Sequence, residues 1–341
     1  QVDDPEAGAG TCNAGREEAR RVLWFCMGAV PPQAPSCDMK VLDEEKRDGY
    51  RALKIEFNVS AWSRVPAYLL IPDGQGPFPA LLVLHDHGAH FTIGKEKVVR
   101  PFAVPDSVLA DSKDWVAKCY DGVYVGDFFA RQGYVVLAVD ALCWGERGRL
   151  EGPDYNVQQA LASNMMQLGM SWAGCIVSDD VNSAGLLASL PQVDPERIGA
   201  LGFSFGAWRA WMVSAATDLV AASAAVCWMD VTRSLVTPVN NQSKGGSAYS
   251  MLVPGLVRYM DYPDAASIAC PKPALFYNGL QDRLFPVEGV REAYSGMSSV
   301  WNSRGVSGAL ETKLWDGKHF FSREMQAGTL EFFNRWLKAG R

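Results

Sequence analysis

The sequence predicts a three-layer α/β/α sandwich around a mostly parallel sheet, and three observations predict it. Six short apolar runs, "PALLVLH", "YVVLAVD", "RIGALGF", "AASAAVCWM", "PALFYNG" and "LETKLW", follow one another, each bounded by turn residues. Strands that are apolar on both faces belong to a parallel sheet covered by helices on each side. Stretches of helical spacing lie between those runs, and "YRALKIEFNV" and "RVPAYLLIP" precede them with β-type alternation and a turn between. An antiparallel hairpin at the sheet edge, followed by strand–helix alternation, is the layout of such a sandwich.

Residues 1–36 read as a helical N-terminal extension, "GREEARRVLWFCMGAV", stopped by Pro31 and Pro32 and packed on the main domain. Residues 37–341 read as a single domain. Its first covering helix, "GDFFARQG", ends with Gly133 at the C-cap. The next, "VSDDVNSAGLLASLP", sets Val177, Val181, Ala184, Leu187 and Ala188 on one face and is stopped by Pro191. "AWRAWMVSAAT" and "AGTLEFFNRWLKAG" complete the set, with Trp211 and Trp336 at core-facing spacings. Two segments, near 91–119 and 230–269, do not fit the alternation and are expected as inserts that act as lids or binding loops.

The chain has 341 residues, is 48% hydrophobic and carries a net charge of −6. That is enough material for a sizeable core. The charge and the lack of a basic stripe exclude a nucleic-acid partner, and no apolar run approaches the roughly 20 residues of a membrane span. Eight cysteines are scattered without a C-x-x-C pair. They permit disulfides without requiring them, and Cys227 in its apolar run reads as a buried thiol. The chain starts at Gln1. A processed, exported form, secreted or periplasmic, is the expectation.

The strongest chemical signal is Gly202-Phe203-Ser204-Phe205-Gly206, placed between an apolar run and a helix. This is a nucleophile elbow, which lifts the Ser204 hydroxyl above the sheet. A serine needs a base to take its proton and an acid to orient the base, in the order serine, acid, histidine. His319, in "LWDGKHFFS", is the only histidine after Ser204. The acid is expected at Asp282, in "PALFYNGLQDRLFP", with Asp230 and Asp316 as rivals.

Three of the four histidines lie in "HDHGAHF", directly after "PALLVL". His85-x-His87-x-x-His90 is similar to half of a zinc motif, but the position before the last histidine, where that motif has aspartate, is Ala89. A metal-dependent hydrolase is one alternative; no cofactor and no metal is the expectation.

On "GFSFG", "GLQDRLFP", "DGKHFF" and the "H-x-H-G" loop after a strand, the chain resembles the α/β-hydrolase superfamily from about Ala52 to Leu337. The resemblance is to the branch of dienelactone hydrolases, acetyl-xylan esterases and related carbohydrate esterases. It implies a serine esterase acting through an acyl-enzyme on acetyl or methyl esters of carbohydrates. It also implies that the "HDHGA" loop supplies half of an oxyanion hole. The Phe205 N–H gives one donor and the His87 N–H the other, with Gly88 and Asp86 as alternatives for the second. His85-Asp86 stands where relatives often have His-Gly. Trp144, Glu146 and Arg147, in "DALCWGERGRLEG", lie at the carboxyl end of the sheet as a pocket wall or as a solvated turn. Arg209 reads as a support beneath Ser204 or as a binder of an acidic substrate group. A peptidase of the prolyl-oligopeptidase type shares the catalytic order, but the chain has no room for a propeller domain. A binding module with an inactive hydrolase fold would lack a triad member, and none is missing here. The oligomeric state is left open.

Overall fold

The computed structural model describes residues 5–148, 154–238 and 248–338. The strands are β1 (Lys40–Arg47), β2 (Tyr50–Ser60), β3 (Ser63–Pro72), β4 (Phe78–Leu84), β5 (Val135–Val139), β6 (Val193–Phe203), β7 (Ala222–Val226), β8 (Ala274–Gly279) and β9 (Leu310–Trp315). They form one sheet in the order β1-β2-β3-β5-β4-β6-β7-β8-β9. β1, β2 and β3 run antiparallel, β3 pairs antiparallel with β5, and every pair from β5 to β9 is parallel.

The helices are α1 (Pro5–Met27), α2 (Asp106–Cys119), α3 (Val125–Arg131), α4 (Tyr155–Gln167), α5 (Trp172–Ser189) and α6 (Phe205–Ala216). They continue with α7 (Thr232–Leu235), α8 (Ala248–Met251), α9 (Tyr262–Ser267), α10 (Val287–Ser303) and α11 (Arg323–Phe333). Alternate residues of β4 serve opposite layers. Ala80, Leu82 and Leu84 pack in the cluster that holds α5 and α6, and Leu81 and Val83 in the one that holds α2, α3 and α11. This is why the central strands read as unbroken apolar runs. No helix among the described residues is long and apolar enough to cross a membrane.

All six apolar runs are strands, and the hairpin is β2–β3. It is not the edge, because β1 pairs outside it. β1 reads KVLDEEKR and is mostly exposed, so it offered no apolar alternation to recognise. α1 ends at Met27, ahead of the two prolines. Gly28 takes φ +80° there, and a side chain at that position would collide with the Gly169 carbonyl. Trp211 is buried, whereas Trp336 is 38% exposed and is not core. The seven cysteines whose side chains are described are free thiols. The insert at 91–119 holds a short 3₁₀ turn (Lys95–Lys97) and α2. The insert at 230–269 holds α7, α8 and α9, with 239–247 outside the described residues.

Candidate active site

Ser204 sits between β6 and α6 with φ 56° and ψ −124°, a conformation that a residue with a Cβ adopts only where its surroundings impose it. The surroundings here are close backbone contacts. A methyl group on Gly202 would overlap the Gly206 carbonyl, and one on Gly206 would overlap the Leu84 carbonyl at the end of β4. The two glycines therefore let β6, α6 and the loop after β4 approach, and the Ser204 N–H is held by the Val226 carbonyl at 2.8 Å.

His319 lies in the loop between β9 and α11. Its Nε2 is 2.8 Å from Ser204 Oγ and its Nδ1 is 2.6 Å from Asp282 Oδ2. The rings of Phe203 and Phe285 pack on the imidazole, with centroids at 4.8 and 6.1 Å. Asp282 Oδ1 accepts the Leu284 N–H at 2.9 Å. A carboxylate accepts only, so Nδ1 of His319 carries the proton and Nε2 is left to accept from the serine hydroxyl. Neither rival acid reaches the imidazole. Asp230 accepts from the Ser234 hydroxyl and the Val231 N–H, and burial pushes its pKa up to about 6. Asp316 accepts from Gln281.

The histidines of the "HDHGAH" stretch do three different things. His85 is fully buried; its Nε2 accepts the Ala141 N–H at 3.0 Å and its Nδ1–H donates to the Asp86 carbonyl at 2.9 Å. Burial, and then the nearby cations Arg209 and Lys97, push its pKa well below the ordinary histidine value, so it stays neutral and pegs the loop after β4 to the loop after β5. His87 accepts the Ala89 N–H at Nδ1, and its ring packs among Phe91, Trp144 and Phe205. His90 donates to Asp111 at 2.6 Å and stacks on Trp115 at 4.7 Å. They do not form a ligand set with one another. Glu96, Asp140 and Glu146 could surround a cation, but the Lys95 ammonium fills that place, at 2.7, 2.8 and 2.6 Å from the three carboxylates.

The remaining predicted residues are mostly internal. Trp144 is fully buried behind His87 and Phe205, with its indole N–H on the His87 carbonyl at 3.3 Å. Arg147 donates to Asp179, to the Asp140 carbonyl and to Ser63. Arg209 is 1% exposed and bonds Asp180 with two nitrogens, at 2.8 and 2.6 Å. The expected wall role of Trp144 and Arg147 gives way to support, because their polar groups are engaged inside the protein, and of the two readings of Arg209 its buried pair with Asp180 favours support. Glu146 pairs with Lys95 and Lys54 and is half exposed. It lines a cavity of about 700 Å³ with Phe91, Thr92 and Asp111. Beside the His319–Asp282 pair opens a cleft of about 560 Å³, also lined by Gln281, Arg283, Leu284 and Lys318.

A serine at a strand–helix elbow, with a histidine and an aspartate on loops at the same end of a mostly parallel sheet, defines the α/β-hydrolase class. Residues 9–302 match the model of the Abhydrolase family, and the chain belongs to that family. It is 26% identical over 325 residues to a Bacillus subtilis (strain 168) protein that bears the name hydrolase YtaP, covering 94% of this chain and all of the other. Among solved structures, a glucuronoyl esterase from Solibacter usitatus superposes with a TM-score of 0.65 at 15% identity, over 94% of this chain and 91% of that one. Acetyl xylan esterase 1 from Thermoanaerobacterium sp. JW/SL YS485 superposes with a TM-score of 0.56 at 14% identity, over 94% and 98%.

Proposed function

We propose that the protein is a serine esterase that cleaves small acyl or methyl esters of carbohydrates. The observation that carries this reading is the continuous hydrogen-bonded chain Ser204 Oγ–His319 Nε2, His319 Nδ1–Asp282 Oδ2, at 2.8 and 2.6 Å. In the reaction, Ser204 Oγ attacks the ester carbonyl carbon while its proton passes to His319 Nε2. Asp282 accepts the Nδ1–H throughout and stabilises the imidazolium. The tetrahedral oxyanion is received by two N–H donors, from Phe205 and from His87. Phe205 opens α6, where the first N–H groups have no acceptor within the helix. His319 then gives its proton to the departing alkoxide, leaving an acyl-serine. Water, deprotonated by the same imidazole, hydrolyses it and restores the hydroxyl.

The carbohydrate part of the reading is supported by the names of the structural relatives. The exposed Arg283 and Lys318 at the cleft favour sugars that carry a further negative charge. The test is a panel of acetylated sugars and methyl uronates, set beside 4-nitrophenyl esters of rising acyl length. Turnover of the sugar esters with a cut-off at short acyl chains is expected. Preference for long-chain esters, or cleavage of peptides alone, would overturn the reading.

A further inference from the structure

We propose that Lys97 is a positioning residue of this reaction: its buried ammonium sets the peptide planes of the "HDHGA" loop so that their N–H groups face the Ser204 hydroxyl. The proposal rests on the esterase reading above. Lys97 Nζ donates to the Asp86 carbonyl at 2.9 Å and to the His87 carbonyl at 2.9 Å. In a trans peptide the N–H points opposite to the C=O of the same plane, and neither of these bonds is among the cis peptides of the structure. Holding the Asp86 carbonyl therefore aims the His87 N–H away from Lys97, and holding the His87 carbonyl does the same for Gly88. The elbow adjoins this loop and is what those N–H groups would face: β4 and β6 are neighbouring parallel strands with Leu84 opposite Gly202, and Gly206 lies against the Leu84 and His85 carbonyls.

The rest of the loop is fastened to the same end. His85 Nδ1–H shares the Asp86 carbonyl, while the His90 N–H at 3.2 Å and the Trp144 indole at 3.3 Å share that of His87. The Asp86 side chain accepts from Tyr120 at 2.6 Å and Trp115 at 3.1 Å and faces the ammonium at 3.6 Å. The Trp115 ring lies 5.1 Å from the ammonium. Burial pulls the Lys97 pKa down and the Asp86 carboxylate works against it, so carboxylate and indole face both favour the charged form. Through each peptide dipole a positive charge behind the carbonyl strengthens the N–H donor in front of it. The lysine thus supports the oxyanion without touching substrate.

The test compares wild type, Lys97→Met and Lys97→Arg on 4-nitrophenyl acetate, with phenylboronic acid as the probe of the tetrahedral state at Ser204. Lys97→Met is expected to lose about 10²-fold in kcat, as for a weakened oxyanion donor, with KM within about threefold. Phenylboronic acid should weaken by the same factor as kcat, and Lys97→Arg should recover part of it. A folded Lys97→Met protein that keeps kcat and boronate affinity, or loses only in KM, overturns the proposal. If circular dichroism shows that Lys97→Met does not fold, Trp144→Phe carries the test. It removes one N–H from the His87 carbonyl, loosening the plane that carries the Gly88 N–H beside the His87 donor, and keeps a ring in place; kcat should fall about three- to tenfold at unchanged KM, and an unchanged kcat overturns the idea that these planes are held for catalysis. A wild type without ester turnover, or a Ser204→Ala protein as active as wild type, would sink the esterase reading and this proposal with it. Those two proteins alone report that failure, so it is distinct from a failure at Lys97.

Discussion

Replacing Asp282 by asparagine changes one atom, and the surrounding hydrogen bonds decide its effect on catalysis. Oδ1 accepts the Leu284 N–H at 2.9 Å and Oδ2 faces His319 Nδ1 at 2.6 Å. In Asp282→Asn the oxygen must stay on the Leu284 N–H, because the opposite orientation sets an NH₂ against an N–H donor. The amide NH₂ then faces His319 Nδ1, which can only accept, and the imidazole proton moves to Nε2. A protonated Nε2 is no base for Ser204. The wrong tautomer of a triad histidine costs about 10⁴-fold in kcat, and a loss of that order on 4-nitrophenyl acetate is expected with little change in thermal stability. Asp230→Asn is the control, and its effect is on stability. A carboxyl that burial holds protonated up to about pH 6, against 3.8 for its ordinary value, binds more protons folded than unfolded between those two pH values. Stability contributed by this group is therefore full below pH 3.8 and is lost as pH rises through 6. The penalty above that is on the order of 3 kcal/mol at most. Asp230→Asn should keep kcat within about threefold and, in urea melts, gain about 1–3 kcal/mol over wild type at pH 8. The gain should shrink towards pH 4. A dead Asp230→Asn beside an active Asp282→Asn would refute the assignment of the acid.

Ser204→Ala should lower ester turnover by on the order of 10⁴-fold or more while its thermal midpoint stays put; near-normal turnover would exclude the serine mechanism. His90→Ala should retain most activity, since its imidazole contacts Asp111 and Trp115 and not Ser204; loss of activity together with a stoichiometric metal, read by elemental analysis, would restore the zinc reading of that loop. Arg209→Leu strands the Asp180 carboxylate in the interior and should cost about 3–5 kcal/mol in denaturant unfolding, less in Arg209→Leu/Asp180→Leu. A double variant as destabilised as the single one would count against the ion-pair explanation.

Those parts of the fold that bury apolar strands on both faces were legible. β4 to β8 each hold a buried apolar run, since helices cover both sides, whereas β9, LETKLW at the far edge, is only partly buried. What was not legible carries its information elsewhere. β1 is an exposed edge strand of charged residues, whose place is decided by backbone pairing with β2 and not by any apolar period. The insert at 91–119 read as a lid or a binding loop because a segment of that length does not fit the strand–helix alternation. In the folded chain Lys95 and Lys97 are fully buried, a placement that composition argues against and that only partners distant in sequence make tolerable.

The same distinction explains the site. Ser204, Asp282 and His319 could be found because each lies where a strand ends, and strand ends are visible as the edges of apolar runs. The roles of His85, Asp86 and His87 depend on Ala141, Trp115, Tyr120 and Lys97, none of them marked by spacing. His85 stands between two backbone groups, accepting from one loop and donating to the other, which a metal-bound imidazole could not do with both nitrogens. Asp86 is tied through its carboxylate to Trp115 and Tyr120, with the Lys97 ammonium facing it. A side chain there ties the turn to Trp115 and Lys97 of the insert at 91–119, which on the proposal above is the loop's foundation. Loosening that foundation should slow catalysis without altering the residues that perform it, as the Lys97 and Trp144 variants are designed to show.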